Sequence, residues 1–399
     1  VVFRFLAVAA LASIIATPAL SQKKYDPGAS DSEIKLGQTL PYSGPVSVLS
    51  GVGKSQTAYF RSLNQTQGGI NGRKLTLVSL DDGYSPPKTI ELTRQLVEND
   101  KVLAIVNTVG TATNRTIHRY LNQKKVPQLL ILTGAAQWND PKQFPWTMMG
   151  MIAYQTEGTA YARHILAAKP DARIAVLRQN DDFGKDYAEG FRHGLGDSTK
   201  AIVAEVSYES TDPTVDAQII QLRASNADAV FIVATGKHAT QAIRKIHELG
   251  WKPQIYLPVG SASVPAVLKP AGAEAATGVI TAANAKSPGD PSWDDDPGMK
   301  GYYAWAKEWA PELNPNDSFV ASGYLYGTII ADLLRRCGDV LTRENLMKQA
   351  ASLKGYATPL TLPGVTLDTG PDDYLPYKKL RLQQFNGTSY TLIGGVIKG

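Results

Sequence analysis

The 399-residue chain contains a single cysteine, Cys337, which excludes a disulfide framework and a thiolate metal cluster. The five histidines do not gather at ligand spacing, and "HELG" (His247–Gly250) lacks the second histidine of a zinc-protease helix. Net charge is only +5, with no basic stripe interleaved with aromatics, so nucleic acid is not an expected partner. Phosphate-loop chemistry is missing too. "GVGKS" (Gly51–Ser55) has Val48 where the loop needs its first glycine, and it lies in a helical pattern rather than after a strand. "GSASV" (Gly260–Val264) lacks the Gly-x-Ser-x-Gly frame of a nucleophile elbow. Carboxylates pair at Asp81-Asp82, Asp181-Asp182 and Asp294-Asp295-Asp296, all in turn contexts that read as solvated loops. No catalytic, cofactor or metal site is expected.

What is present begins at the N-terminus. "VVFRFLAVAALASIIATPALSQ" carries one basic residue, Arg4, an apolar run from Phe5 to Ala16, Pro18, and small residues ahead of a cut before Gln22. The apolar run is short for a bilayer span, so residues 1–21 read as a signal peptide and the mature chain as periplasmic. No other segment resembles a span.

Hydrophobic content of 43% and charged content of 19% mark a globular protein, and its length favours two domains. The stretch "QTQGGINGRKLTLVSLDD" (Gln65–Asp82) sets the pattern. Val48, Val52, Ala58, Phe60 and Leu63 share one side of a helix. Gly68 suits a left-handed C-cap, Asn71-Gly72 a tight turn, and "KLTLVSL" a buried strand. Similar strand runs occur at Ile34–Leu40, Val102–Thr108, Val126–Leu132, Ala172–Arg178, Ala201–Tyr208, Asp228–Ala234 and Gln254–Pro258, with helical patterns between them. Alternating β and α elements predict parallel sheets with helices on both faces. The two sets break near Pro145–Tyr154. A helical block over Gly301–Gly338 has no strand of its own and is expected to cover the first set, with Cys337 at a helix end. "KKLRLQQFNGTSYTLIGG" reads as a hairpin around Asn386-Gly387.

Ligands of open α/β sheets collect at strand C-termini. The loops there are Pro41–Pro45, Thr108–Asn114, Thr133–Asp140, Asn180–Asp186, Ala234–His238 and Val259–Val264. "TVGTATN" leads into a helix. Its backbone N–H groups with the Thr111 and Thr113 hydroxyls suit an anion, and ordinary capping by either threonine explains them equally.

The segments "LPYSGP", "NQTQGGINGRKLTLVSLDDGYSPPKTIELTRQLVENDKV", "GTATN", "VPQLLILTGA", "NDDFGKDYAEGF" and "DAVFIVATGKHATQAIRKIHELGW" resemble the branched-chain amino acid type of periplasmic solute-binding protein, which serves ABC transporters. The resemblance runs from about Ile34 to the C-terminus. It implies the type I fold: two Rossmann-like α/β lobes with parallel sheets and a three-segment hinge. The first lobe is expected at 33–153 plus 286–365, the second at 154–285 plus 366–399. It implies a non-catalytic protein, expected as a monomer, that captures a small molecule and delivers it to a membrane permease. Motif by motif, the ligand-binding positions fall on Gly110, Thr111 and Thr113 for the carboxylate turn and on Ala135, Ala136 and Gln137 for the next loop. Phe183 falls on the second-lobe aromatic, and Ser43 and Leu49 on the first loop. Thr235 joins them from the Ala234–His238 loop. The family's ammonium-binding acids align with Tyr154 and Ser261, which carry no negative charge near neutral pH. Glu157 stands close enough to serve instead. A small carboxylate without an α-amino group, with aromatic rings at Tyr154, Phe183 and Trp138 to stack on, ranks ahead of an amino acid or a short amide.

Overall fold

The computed structural model describes residues 23–399; the signal-peptide reading lies outside the described residues. After β1 (Lys24–Tyr25) come β2 (Glu33–Leu40), α1 (Ser50–Gln67), β3 (Lys74–Asp81), α2 (Pro86–Arg94), β4 (Ala104–Val106), α3 (Thr111–Lys124), β5 (Gln128–Ile131) and β6 (Thr147–Met149). Strands β2 to β6 form one parallel sheet in the order β3-β2-β4-β5-β6. The second half continues with α4 (Tyr154–Ala168), β7 (Ile174–Gln179), α5 (Asp182–Leu195), β8 (Ile202–Tyr208), α6 (Asp216–Arg223), β9 (Ala229–Val233), α7 (Gly236–Glu248) and β10 (Gln254–Tyr256). Two short helices, α8 (Lys269–Ala271) and α9 (Ala273–Ala276), lead to β11 (Ile280–Ala283). Then follow α10 (Pro297–Trp309), α11 (Ser318–Cys337), β12 (Val340–Leu341), α12 (Arg343–Ala350), β13 (Lys379–Phe385) and β14 (Tyr390–Lys398). The second sheet runs β14-β13-β11-β10-β9-β7-β8, parallel except where the C-terminal hairpin adds antiparallel strands. No described helix is long and apolar enough to cross a membrane.

The local signals act as expected at the first junction. Gly68 closes α1 in the left-handed region at φ 68°, and Asn71 and Gly72 turn the chain at φ 49° and 77°. Strands buried on both faces, such as β4 and β9, are continuous apolar runs, as a sheet covered by helices on each side requires. α11 packs on α1. A Cβ at Gly323 would stand 2.2 Å from the Val52 carbonyl oxygen, so only glycine permits this approach. Cys337 ends α11, and burial pushes its thiol up to about 12.

Four expectations need correction. The supposed break at Pro145–Tyr154 holds the edge strand β6, and β11 is not visible as a strand; their TMM and ITAA lack the run of large apolar residues that marks the equally short β4 and β5. The paired acids are not merely solvated. Asp82 is fully buried and accepts from the Tyr84 N–H and the Thr89 hydroxyl, both at 2.9 Å. Asp181 and Asp296 cap α5 and α10. Finally, residues 366–377 bond to the first half: the Thr369 hydroxyl donates to the Ala350 carbonyl, and the Tyr374 N–H to Asn139 Oδ1, both at 2.6 Å. The last crossing therefore lies near Tyr377, beside Ile152, rather than at 366.

Candidate ligand cleft

The two sheets point their strand C-termini at a shared cavity of about 160 Å³. An apolar void of about 150 Å³ accepts a benzene-sized molecule in other proteins, so this one suits a small organic solute. The lobes meet around it. Arg115 pairs with Asp182 across the cleft, the Ala136 N–H donates to Asp186 at 3.2 Å, and the Ser263 hydroxyl donates to Asp317 at 2.8 Å. Burial lifts Asp186 to about 6, opposed by its bonds from Ala136 and Gln155.

The first-lobe wall is built on the turn into α3. Gly110 is the N-cap at φ 97° with no side-chain cap, and Asn114 is the residue whose N–H bonds back to the Gly110 carbonyl. The preceding N–H groups, those of Thr111 and Ala112, have no intrahelical partner, and the helix dipole adds positive potential there. Tyr84, at φ 63°, lays its ring against this turn; a Cβ on Gly110 would meet Tyr84 Cε2 at 2.6 Å. The Thr111 hydroxyl is 2.8 Å from that of Thr133, which also receives Trp138 Nε1–H at 3.2 Å. Val46, Leu49, Val52, Leu132 and a two-turn face of α11 (Ser318, Phe319, Ser322, Leu325, Tyr326) complete an apolar side.

The second-lobe wall is aromatic. Tyr154 and Tyr187 stack at 4.2 Å and 21°, and Phe183 stands edge-on to both, at 5.4 and 5.3 Å. Beneath them Glu157 is fully buried, and its carboxylate accepts from the Tyr161 hydroxyl, from the Tyr187 hydroxyl at 2.7 Å and from the Val259 N–H at 2.6 Å. Burial lifts Glu157 to about 7 despite these three donors. Burial likewise pushes the Tyr154 phenol up to about 12, so it stays neutral.

Of the sequence candidates, Leu49, Gly110, Thr111, Tyr154, Phe183, Thr235 and Ser261 line this cavity. The others do not. Ser43 turns outward and donates to Asp81 at 2.7 Å. The Thr113 hydroxyl bonds back to the Val109 and Gly110 carbonyls, a helix-internal use. Ala135 is buried, Ala136 spends its N–H on Asp186, and Gln137 is exposed. Trp138 packs edge-on to His118 instead of facing ligand. Glu157 is not a lining residue; all its bonds serve the wall behind. Sequence reasoning missed Tyr84, Tyr187 and the α11 face. Tyr187 was recoverable, since it stands one helical turn after Phe183. The α11 residues were not, because their pattern is the same whether they cover a sheet or a cavity.

Among the described residues, no Asp or Glu lines the cavity. Its single lining cation, Lys286, is already held by both Asp296 oxygens at 2.7 Å and by the Pro359 carbonyl at 2.8 Å.

A family model of periplasmic binding proteins matches residues 33–389. Curated relatives include an amino acid binding protein of Pseudomonas aeruginosa, 25% identical over 46% of this chain and 49% of its own length. Another is Leu/Ile/Val-binding protein homolog 3 of Brucella melitensis, 25% identical over 55% of this chain and 59% of its own. The chain thus matches about half the length of these relatives. Among solved structures, a substrate-binding periplasmic protein from Ralstonia solanacearum superposes with a TM-score of 0.81 at 24% identity, covering 90% of this chain and 100% of that one. A solute-binding protein from R. palustris in complex with benzoate gives 0.78 at 19% identity, covering 92% and 98%. These likenesses establish the fold.

Proposed function

Because the chain belongs to the periplasmic binding protein family, we propose that it is an extracytoplasmic, non-catalytic solute-binding protein that captures a small carboxylate lacking an α-amino group, aromatic by preference. It passes that solute to the permease of an ABC importer, and it works as a monomer in the periplasm. The observation that carries the ligand class is the absence of any acid among the described cavity-lining residues. An ammonium group closed into this cleft would lack a counter-charge, which is unfavourable on the order of several kcal/mol. A carboxylate has the free N–H groups at the start of α3. Tyr154, Phe183 and Tyr187 offer ring faces and edges for an aromatic body.

The three chain crossings near 150–153, 283–288 and 377–379 form the hinge. The first lobe holds the ligand in the open state, and the second closes over it, driven by contacts made only when closed. An amino acid ligand is the second reading, favoured by the names of the curated relatives. It requires Glu157 to abandon its donors and turn toward the cavity.

Calorimetry with benzoate, leucine and a short amide separates these readings. Benzoate-type acids are expected to bind, with leucine weaker by at least about 100-fold, the effect of an unpaired buried charge. Tight leucine binding that Glu157→Gln abolishes overturns the proposal.

A further inference from the structure

Ser261 sits on the turn after β10, in the second lobe, fully buried, and it lines the cavity. Its hydroxyl has no hydrogen-bond partner among the described residues. Buried hydroxyls are nearly always paired, so this one calls for a partner from the cavity. The turn that carries it is held from both sides. The Val259 N–H donates to Glu157 at 2.6 Å, and the Tyr390 hydroxyl donates to the Ala262 carbonyl at 2.9 Å. The Ser261 N–H itself closes on the Pro258 carbonyl at 2.9 Å. Its position is therefore set in advance, as a recognition group requires. The contrast with Thr111 is informative, because that hydroxyl is already matched by Thr133.

We propose that the ligand is two-ended, with its carboxylate on the α3 turn and an uncharged hydroxyl, keto or ether oxygen received by Ser261 on the opposite wall. This rests on the carboxylate reading above. The second group is uncharged because this end offers neither an acid nor a free cation: among the described residues no Asp or Glu lines the cavity, and Lys286 is engaged by Asp296. A serine hydroxyl both donates and accepts, so it serves any of these three groups. The contact has a consequence for closure. Ser261 belongs to the lobe that closes, so its bond forms only in the closed state and adds to the ligand's preference for that state.

The test is calorimetry on the wild type, Ser261→Ala and Ser261→Thr. The ligands are benzoate against its three monohydroxy isomers, and pentanoate against 4-oxopentanoate. One oxygenated member is expected to bind the wild type about three- to tenfold tighter than its parent, the range of one neutral hydrogen bond. Ser261→Ala is expected to erase that ratio, and Ser261→Thr to restore part of it. A loosened turn would weaken parent and oxygenated ligand alike, so the ratio isolates the hydroxyl. Equal binding of parents and oxygenated acids to the wild type, or a ratio that survives in Ser261→Ala, overturns the two-ended ligand and leaves the carboxylate reading standing. Binding by none of these acids overturns both.

Discussion

The two walls of the cleft recognise by different means. The first-lobe wall presents backbone: N–H groups at the start of α3, freed by an uncapped Gly110 at φ 97°. Its side-chain hydroxyls, Thr111 and Thr113, are already matched within the lobe. The second-lobe wall presents side chains: the Tyr154–Phe183–Tyr187 cluster and the unpartnered Ser261. Backbone donors hold any anion of the right size and survive most substitutions. Side chains can change one at a time. On the proposed reading, the lobe that grips is generic and the lobe that closes chooses.

The wall that chooses depends on a buried acid, and removing it should have the largest effect. Glu157→Ala leaves the Tyr187 hydroxyl and the Val259 N–H without their acceptor and the Tyr161 hydroxyl with only the Leu257 carbonyl. Chemical denaturation should show a loss of about 3 kcal/mol or more; a loss below about 1 kcal/mol would mean that the second wall does not rest on Glu157. Glu157→Gln keeps an acceptor and should cost much less, but it should alter the pH profile. The folded-state value of about 7 lies above the ordinary 4.5, so the folded protein holds the proton more tightly. The stability contributed by Glu157 is then greatest below about 4.5 and is lost as pH rises to about 7, by at most about 1.4 kcal/mol per pH unit. Asp186, lifted to about 6, adds a slope of the same sign. Glu157→Gln should flatten the profile without abolishing it; an unchanged profile contradicts the assignment.

Gly110→Val tests the generic wall. It places a β-branched residue at positive φ and drives its Cβ into Tyr84. Affinity for benzoate-type acids should fall on the order of 100-fold, and retention within threefold would show that the α3 turn does not hold the carboxylate. Phe183→Ala should reduce affinity for aromatic acids about tenfold and for aliphatic acids less, since ring–ring contact is worth about 0.5–1.5 kcal/mol beyond area. Equal losses for both would remove the aromatic preference. The smallest effect concerns the latch. Ser263→Ala deletes the cross-lobe bond to Asp317 and should weaken binding by about three- to tenfold through the closed state alone. Small-angle scattering should then show less compaction at equal ligand, and unaltered compaction would leave Ser263 only its local role of accepting from the Ala266 N–H at 3.2 Å.

Much of the fold is legible in local chemistry. Gly68, Asn71-Gly72 and the runs around β2, β3, β7 and β9 announce themselves, because a left-handed cap, a tight turn and a doubly covered strand each need particular residues in one short stretch. β6 and β11 do not, because TMM and ITAA form no long apolar run and the strands are held by neighbours distant in the chain.

The cleft divides along the same line. Gly110 and Thr111 sit in a turn whose residue types carry their meaning, and the family resemblance adds Phe183 and Ser261, so the sequence alone determined all four as candidates. Whether a candidate hydroxyl or carboxylate remains free was decided only by tertiary structure. Thr113 is spent on its own helix, Ala136 on Asp186, and Glu157 on two tyrosines and a backbone N–H, whereas Ser261 is left over. The physical reason is that a polar group's availability depends on every donor and acceptor within about 3 Å of it, and at this cleft several of those come from segments well separated in the chain.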